Sequence, residues 1–169
     1  MTGTDVGRRI PPAGLLWLLA LLAVCTLPAW WLMEREADTV LLPPVDDCRL
    51  DHAACSARLP DGSEVVFDIH PRSPNATDPL RLEASFAGGQ ASGVSVRFEG
   101  VNMDMGYLGL LKYQLAPAGP AGATESFAGE GGVFACSAGW MDWRVLLDFE
   151  LDGVRYEVPF QLRTTSTGS

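Results

Sequence analysis

The stretch Trp143-Arg-Val-Leu-Leu-Asp-Phe-Glu-Leu151, then Asp152-Gly153, then Val154-Arg-Tyr-Glu-Val-Pro-Phe-Gln-Leu162 decides the fold class. Two strand patterns flank an Asp-Gly pair. That pair is a two-residue hairpin signal, because Asp and Gly tolerate the positive φ such a turn requires. Trp143 alternates with Val145 and Leu147, which assigns its indole to a core.

Working outward, Ser63 to Ile69, Leu80 to Phe86, Gly93 to Glu99, Leu110 to Leu115 and Gly132 to Cys136 also carry strand character. The run Gly93-Val-Ser-Val-Arg-Phe-Glu99 alternates strictly, with Val94, Val96 and Phe98 on one face. Between the runs lie Pro60-Asp-Gly62, Pro71 to Pro79, Gly88-Gly89, Pro117 to Gly122 and Gly129 to Gly132, all turn chemistry. Seven or eight short strands without a long amphipathic helix predict an all-β chain, an antiparallel β-sandwich over 48–163. Residues 164–169 read as a frayed tail. A domain of this length is expected to bury enough apolar surface to fold without metal.

Ala13 to Met33 has about twenty uncharged residues, enough to span a bilayer as a helix. Arg8 and Arg9 precede it, and Glu34, Glu36 and Asp38 follow. This predicts a cytoplasmic N-terminus (1–12), a transmembrane helix (13–33), a linker (34–47) and a domain on the far side of the membrane. Trp17, Trp30 and Trp31 suit the interfacial belts. A cleaved signal peptide would carry a shorter apolar region and a clean small-residue site, which this stretch lacks. Val24 fits poorly before a lipidated Cys25.

The formal net charge is −9, and Lys112 is the single lysine. That balance argues against nucleic acid or an anionic lipid surface as partner. His52 and His70 are the two histidines. With no nucleophile elbow, phosphate loop or zincin motif, nothing assembles an acid, a base and a nucleophile, and no enzymatic activity is expected.

Three cysteines follow the apolar stretch: Cys48, Cys55 and Cys136. In an oxidising compartment two of them are expected to pair. A local Cys48–Cys55 bond would staple a small loop and leave Cys136 free. A bond from either to Cys136 would tie the N-terminal segment to the sandwich. Proximity in sequence favours the local bond.

Two stretches carry the chemistry. One is Gly100-Val-Asn-Met-Asp-Met-Gly106, where Met103 and Met105 share a face if the segment is extended. The other is Cys136-Ser-Ala-Gly-Trp-Met141-Asp-Trp143. Thioether and thiolate sulfur is the donor set that selects cuprous copper, and the Trp140 or Trp143 indole face suits a cation. Met103, Met105, Cys136 and Met141 are therefore the predicted ligands of one Cu(I), with His52 as an accessory candidate. The opposing reading makes the methionines gap-fillers in the core.

At these residues the chain resembles a family of membrane-anchored bacterial periplasmic proteins with a V-x-F-x-G-V-x-M-x-M-G-Y block and a C-x4-M-x-W block. They stand here at Val96 to Tyr107 and Cys136 to Trp143. The layout is also similar to YtkA-like domains, immunoglobulin-like sandwiches linked to copper handling. The resemblance implies an immunoglobulin-like sandwich on a single-pass anchor in the inner membrane, facing the periplasm. It implies copper binding, as a chaperone or assembly factor for a respiratory oxidase, with a copper protein or membrane complex as partner. Two rival functions stand beside it: a metal-free module docking a membrane complex, and a thiol-redox protein. The latter lacks a C-x-x-C pair.

Overall fold

The computed structural model describes residues 39–75, 78–102, 106, 109, 111–119, 124–133 and 139–165. The predicted anchor, and Met103, Met105 and Cys136, lie outside these residues. Among the described residues no helix is long and apolar enough to cross a membrane.

Among the described residues ten strands run in chain order: β1 (Val40–Leu41), β2 (Cys55–Arg58), β3 (Glu64–His70), β4 (Leu80–Ala87), β5 (Ala91–Gly100), β6 (Lys112–Gln114), β7 (Ala116–Pro117), β8 (Thr124–Gly131), β9 (Trp140–Leu151) and β10 (Val154–Thr165). They form two five-stranded sheets, β1-β10-β9-β5-β6 and β2-β3-β4-β8-β7. All pairings are antiparallel except β1 with β10.

The predicted hairpin is the longest ladder, running from Val154↔Leu151 to Thr165↔Trp140. Its turn has φ 49° at Asp152 and 85° at Gly153. Positive φ at both central residues is the mirror-image turn that matches strand twist.

Alternation fills the space between the sheets. β9 turns Met141, Trp143, Val145, Leu147, Phe149 and Leu151 inward, β3 turns Val65, Phe67 and Ile69, and β5 turns Val94, Val96 and Phe98. The sheets meet through aromatic pairs: Phe67 stacks on Phe160 at 5.6 Å and Phe86 meets Phe149 edge-on at 4.8 Å between centroids. On the outer face Arg97 reaches Asp148, Glu99 and Glu157, and Lys112 joins at Asp148. This network gathers acids of three strands, β5, β9 and β10, around one guanidinium.

Several elements differ from the sequence reading: Cys55–Arg58 forms β2 where no strand was expected, and Thr164 and Thr165, read as tail, continue β10, with the Thr164 side chain buried. The Leu110–Leu115 run yields the shorter β6. After it Leu115 carries the chain across to the other sheet as β7, its amide donating to Val94 O at 2.9 Å. Gly129 to Gly131 belong to β8, not to a turn. A Cβ at Gly129 would sit 2.7 Å from Gln114 O, and one at Gly131 would sit 3.2 Å from Tyr113 Cγ, both in β6. Glycine here permits close approach of the switching strand. Finally, Val40–Leu41, read as linker, is a strand on the β10 edge.

Candidate metal centre

The sequence places its sulfurs in two blocks, and the fold brings the described flanks of those blocks together. β5 ends at Gly100, which lies opposite Trp143 in β9. One residue further, the Val101 amide donates to Asp142 O at 2.9 Å. The segment carrying Met103 and Met105 therefore departs from β5 beside the point where the segment carrying Cys136 enters β9. Gly106, just after Met105, has φ 54°, the left-handed backbone that glycine adopts without a Cβ penalty.

The roots of both segments are fixed from beneath. Trp143 is buried, and its Nε1 donates to the buried Thr164 Oγ1 at 2.9 Å. Phe98 packs edge-on against Trp143 and Tyr113. The Tyr113 hydroxyl donates to Gly132 O at 2.9 Å, tying the start of β6 to the chain just past β8. These contacts fix the end of β5 and the start of β9 to the core.

Met141, the one predicted ligand among the described residues, is 3 % exposed on the inward face of β9. It lies two residues from Trp143 and so shares its face. Trp140 points the other way and is 50 % exposed, with the Arg163 guanidinium stacked 4.8 Å from its ring centroid. Arg163 also donates to Asp142 through Nε at 2.6 Å and Nη2 at 2.9 Å. Its cation is already engaged by a carboxylate and an indole.

The predicted local disulfide is present: Cys48 bonds Cys55, with Cα atoms 5.7 Å apart. Cys55 is fully buried, as expected of a structural sulfur and not of a reactive one. The bond leaves Cys136 as the one cysteine after the apolar stretch outside that pair. The stapled loop lies along the same end of β10. Within it Asp51, 9 % exposed, accepts from Arg49 Nε and Nη2 and from the Arg163 backbone amide at 3.2 Å. Sequence reasoning missed Asp51 and Arg163, because their partnership spans more than a hundred residues and follows no local pattern. His52 is well exposed, its Nε2 3.3 Å from Asp51 Oδ2, and His70 lies 3.2 Å from Asp68. Among the described residues no three His, Cys, Asp or Glu side chains converge on a metal position.

Burial pushes the Asp51 carboxyl up, but the hydrogen bonds from Arg49 and the Arg163 amide outweigh it and hold it below the ordinary 3.8. A depressed carboxylate contributes stability above its unfolded value and loses it as pH falls through the folded value. Asp51→Asn should therefore cost about 2 kcal/mol at neutral pH, the scale of hydrogen bonds to a charged group. The gap from the parent should shrink below about pH 4. Urea melts of both proteins across pH 3–7 check this, and a gap that stays constant with pH would contradict it.

No protein family, curated protein or solved structure compared with this chain matches it.

Proposed function

We propose that this chain is a single-pass inner-membrane protein whose periplasmic, immunoglobulin-like sandwich binds one cuprous ion and passes it on without turnover. Met103, Met105 and Cys136 supply the outer sulfur donors, and Met141 stands as the inner one at the end of the core. The observation that carries this reading is the adjacency of the β5 end and the β9 start, anchored by Gly100 opposite Trp143 and by the Val101–Asp142 hydrogen bond. It supports the convergence of two sulfur-bearing segments on one end of one sheet. The Cys48–Cys55 disulfide supports it too, since it leaves the Cys136 thiol available. Thioether and thiolate donors match the softer charge state of copper. The recipient fits the class of copper proteins or membrane complexes that the sequence resemblance implies, such as a respiratory oxidase during assembly.

A second reading rests on Met141. Its near-complete burial is what a packing methionine shows, and it favours a metal-free module docking a membrane complex. Loading the protein anaerobically with cuprous copper, desalting and measuring metal separates the two. One retained copper per chain is expected, and none would put the docking module in front.

A further inference from the structure

Among the described residues three polar side chains are buried: Asp51, Ser95 and Thr164. Asp51 accepts from Arg49, and Thr164 accepts from Trp143. Ser95 is 4 % exposed, and its hydroxyl has no partner among the described residues. Parity in β5 turns it away from the core, since Val94, Val96 and Phe98 point inward. It stands on the outer face of its sheet, between Asp148 of β9 and Gln114 of β6. There it lines a cavity of about 420 Å³. A buried polar group without a partner is unusual in a folded protein and calls for a cause.

The cavity is built around that hydroxyl. β5 loses register with β9 between Ser92 and Ser95, and such bulges re-aim side chains. Within the bulge Gly93 has φ 61°, and a Cβ there would meet nothing within 4 Å. The floor beside Ser95 therefore stays open. Its volume falls within the roughly 300–1,000 Å³ of small-molecule sites. On one side Arg97 holds Asp148 and Glu157, and Lys112 reaches Asp148. These pairs fix donors and acceptors in place. On the other side Arg155 lies opposite Glu150 in the β9–β10 ladder, and neither joins an ion pair among the described residues.

Charge in the cavity balances, with Arg97, Lys112 and Arg155 against Asp148, Glu150 and Glu157, on a chain of net charge −9. An anion would meet the carboxylates, and a cation would meet the guanidinium and ammonium groups. A zwitterion needs one pole of each sign, but here each cation neighbours an acid. Sugar hydroxyls both donate and accept, which suits interleaved signs and the orphaned Ser95 hydroxyl. We propose that this cavity binds a neutral saccharide, and that the Ser95 hydroxyl, Glu150 and Arg155 gain their partners from it. Ser95 lies about 16 Å from Gly100 along β5, at roughly 3.3 Å per residue. Sugar binding and copper binding are therefore separable.

The test is calorimetric titration of the full chain in a detergent without a sugar headgroup. The probes are maltose, cellobiose and diacetylchitobiose, with glycine as a zwitterion and acetate as an anion. At least one disaccharide should bind with a Kd of about 1 mM or tighter. Ser95→Ala adds no bulk and should weaken that binding about ten-fold. Glu150→Gln combined with Arg155→Gln should weaken it at least as much. If Ser95→Ala misfolds, this second variant decides. Failure of all three disaccharides to bind overturns the proposal, as does saccharide binding that the variants leave unchanged. Binding of glycine or acetate in their place gives the cavity to a charged ligand and overturns it too.

Discussion

Trp143→Ala should lower the unfolding free energy of the domain by about 4 kcal/mol, the cost of deleting a fully buried indole and leaving a cavity. The site explains the size. Trp143 sits opposite Gly100 at the end of β5, against Phe98, with its Nε1 on the buried Thr164 hydroxyl. Removal also orphans that hydroxyl, which adds to the loss. Trp143→Phe keeps most of the volume but not the donor, so it should cost about 1–2 kcal/mol, mostly from Thr164. Urea unfolding of the three proteins measures both steps. A loss below about 1 kcal/mol for the alanine variant would mean that the indole does not brace this end of the sandwich.

Replacing Met103 and Met105 together with leucine should abolish tight cuprous binding while leaving the fold intact. Leucine matches methionine in volume and hydrophobicity, so each change should cost less than about 1.5 kcal/mol. Two thioether donors vanish, however. Loss of groups that merely orient metal ligands costs roughly 10–100-fold in affinity, so losing two donors should exceed about 100-fold. Competition against a cuprous chelator reads the change. Unaltered affinity would return both methionines to packing and leave the docking module as the function.

The fold was legible where side-chain period and turn chemistry agree. The Asp152-Gly153 turn and the alternation in β3, β4, β5 and β9 come from backbone preferences that act over a few residues. Three things were hidden. β8 carries Gly129 and Gly131 because a neighbouring strand crosses close by, and that closeness is a tertiary fact. The pairing of Val40–Leu41 with the β10 edge hides before Pro43-Pro44, which read as linker. Asp51 gains its role from the Arg163 amide, far away in sequence. At the candidate site, the pairing of Cys48 with Cys55 followed from proximity. The burial of Met141 follows from its parity with Trp143, although its place beside Gly139 reads as a turn.

The central claim is that sulfur, not nitrogen, holds a cuprous ion at the end of this sandwich. X-ray absorption at the copper edge on the anaerobically loaded protein tests it most directly. The account predicts a cuprous edge with a sulfur-only first shell and no imidazole scattering. A first shell of nitrogen or oxygen, with the outer-shell pattern of histidine, would move copper to His52 or His70 and contradict it.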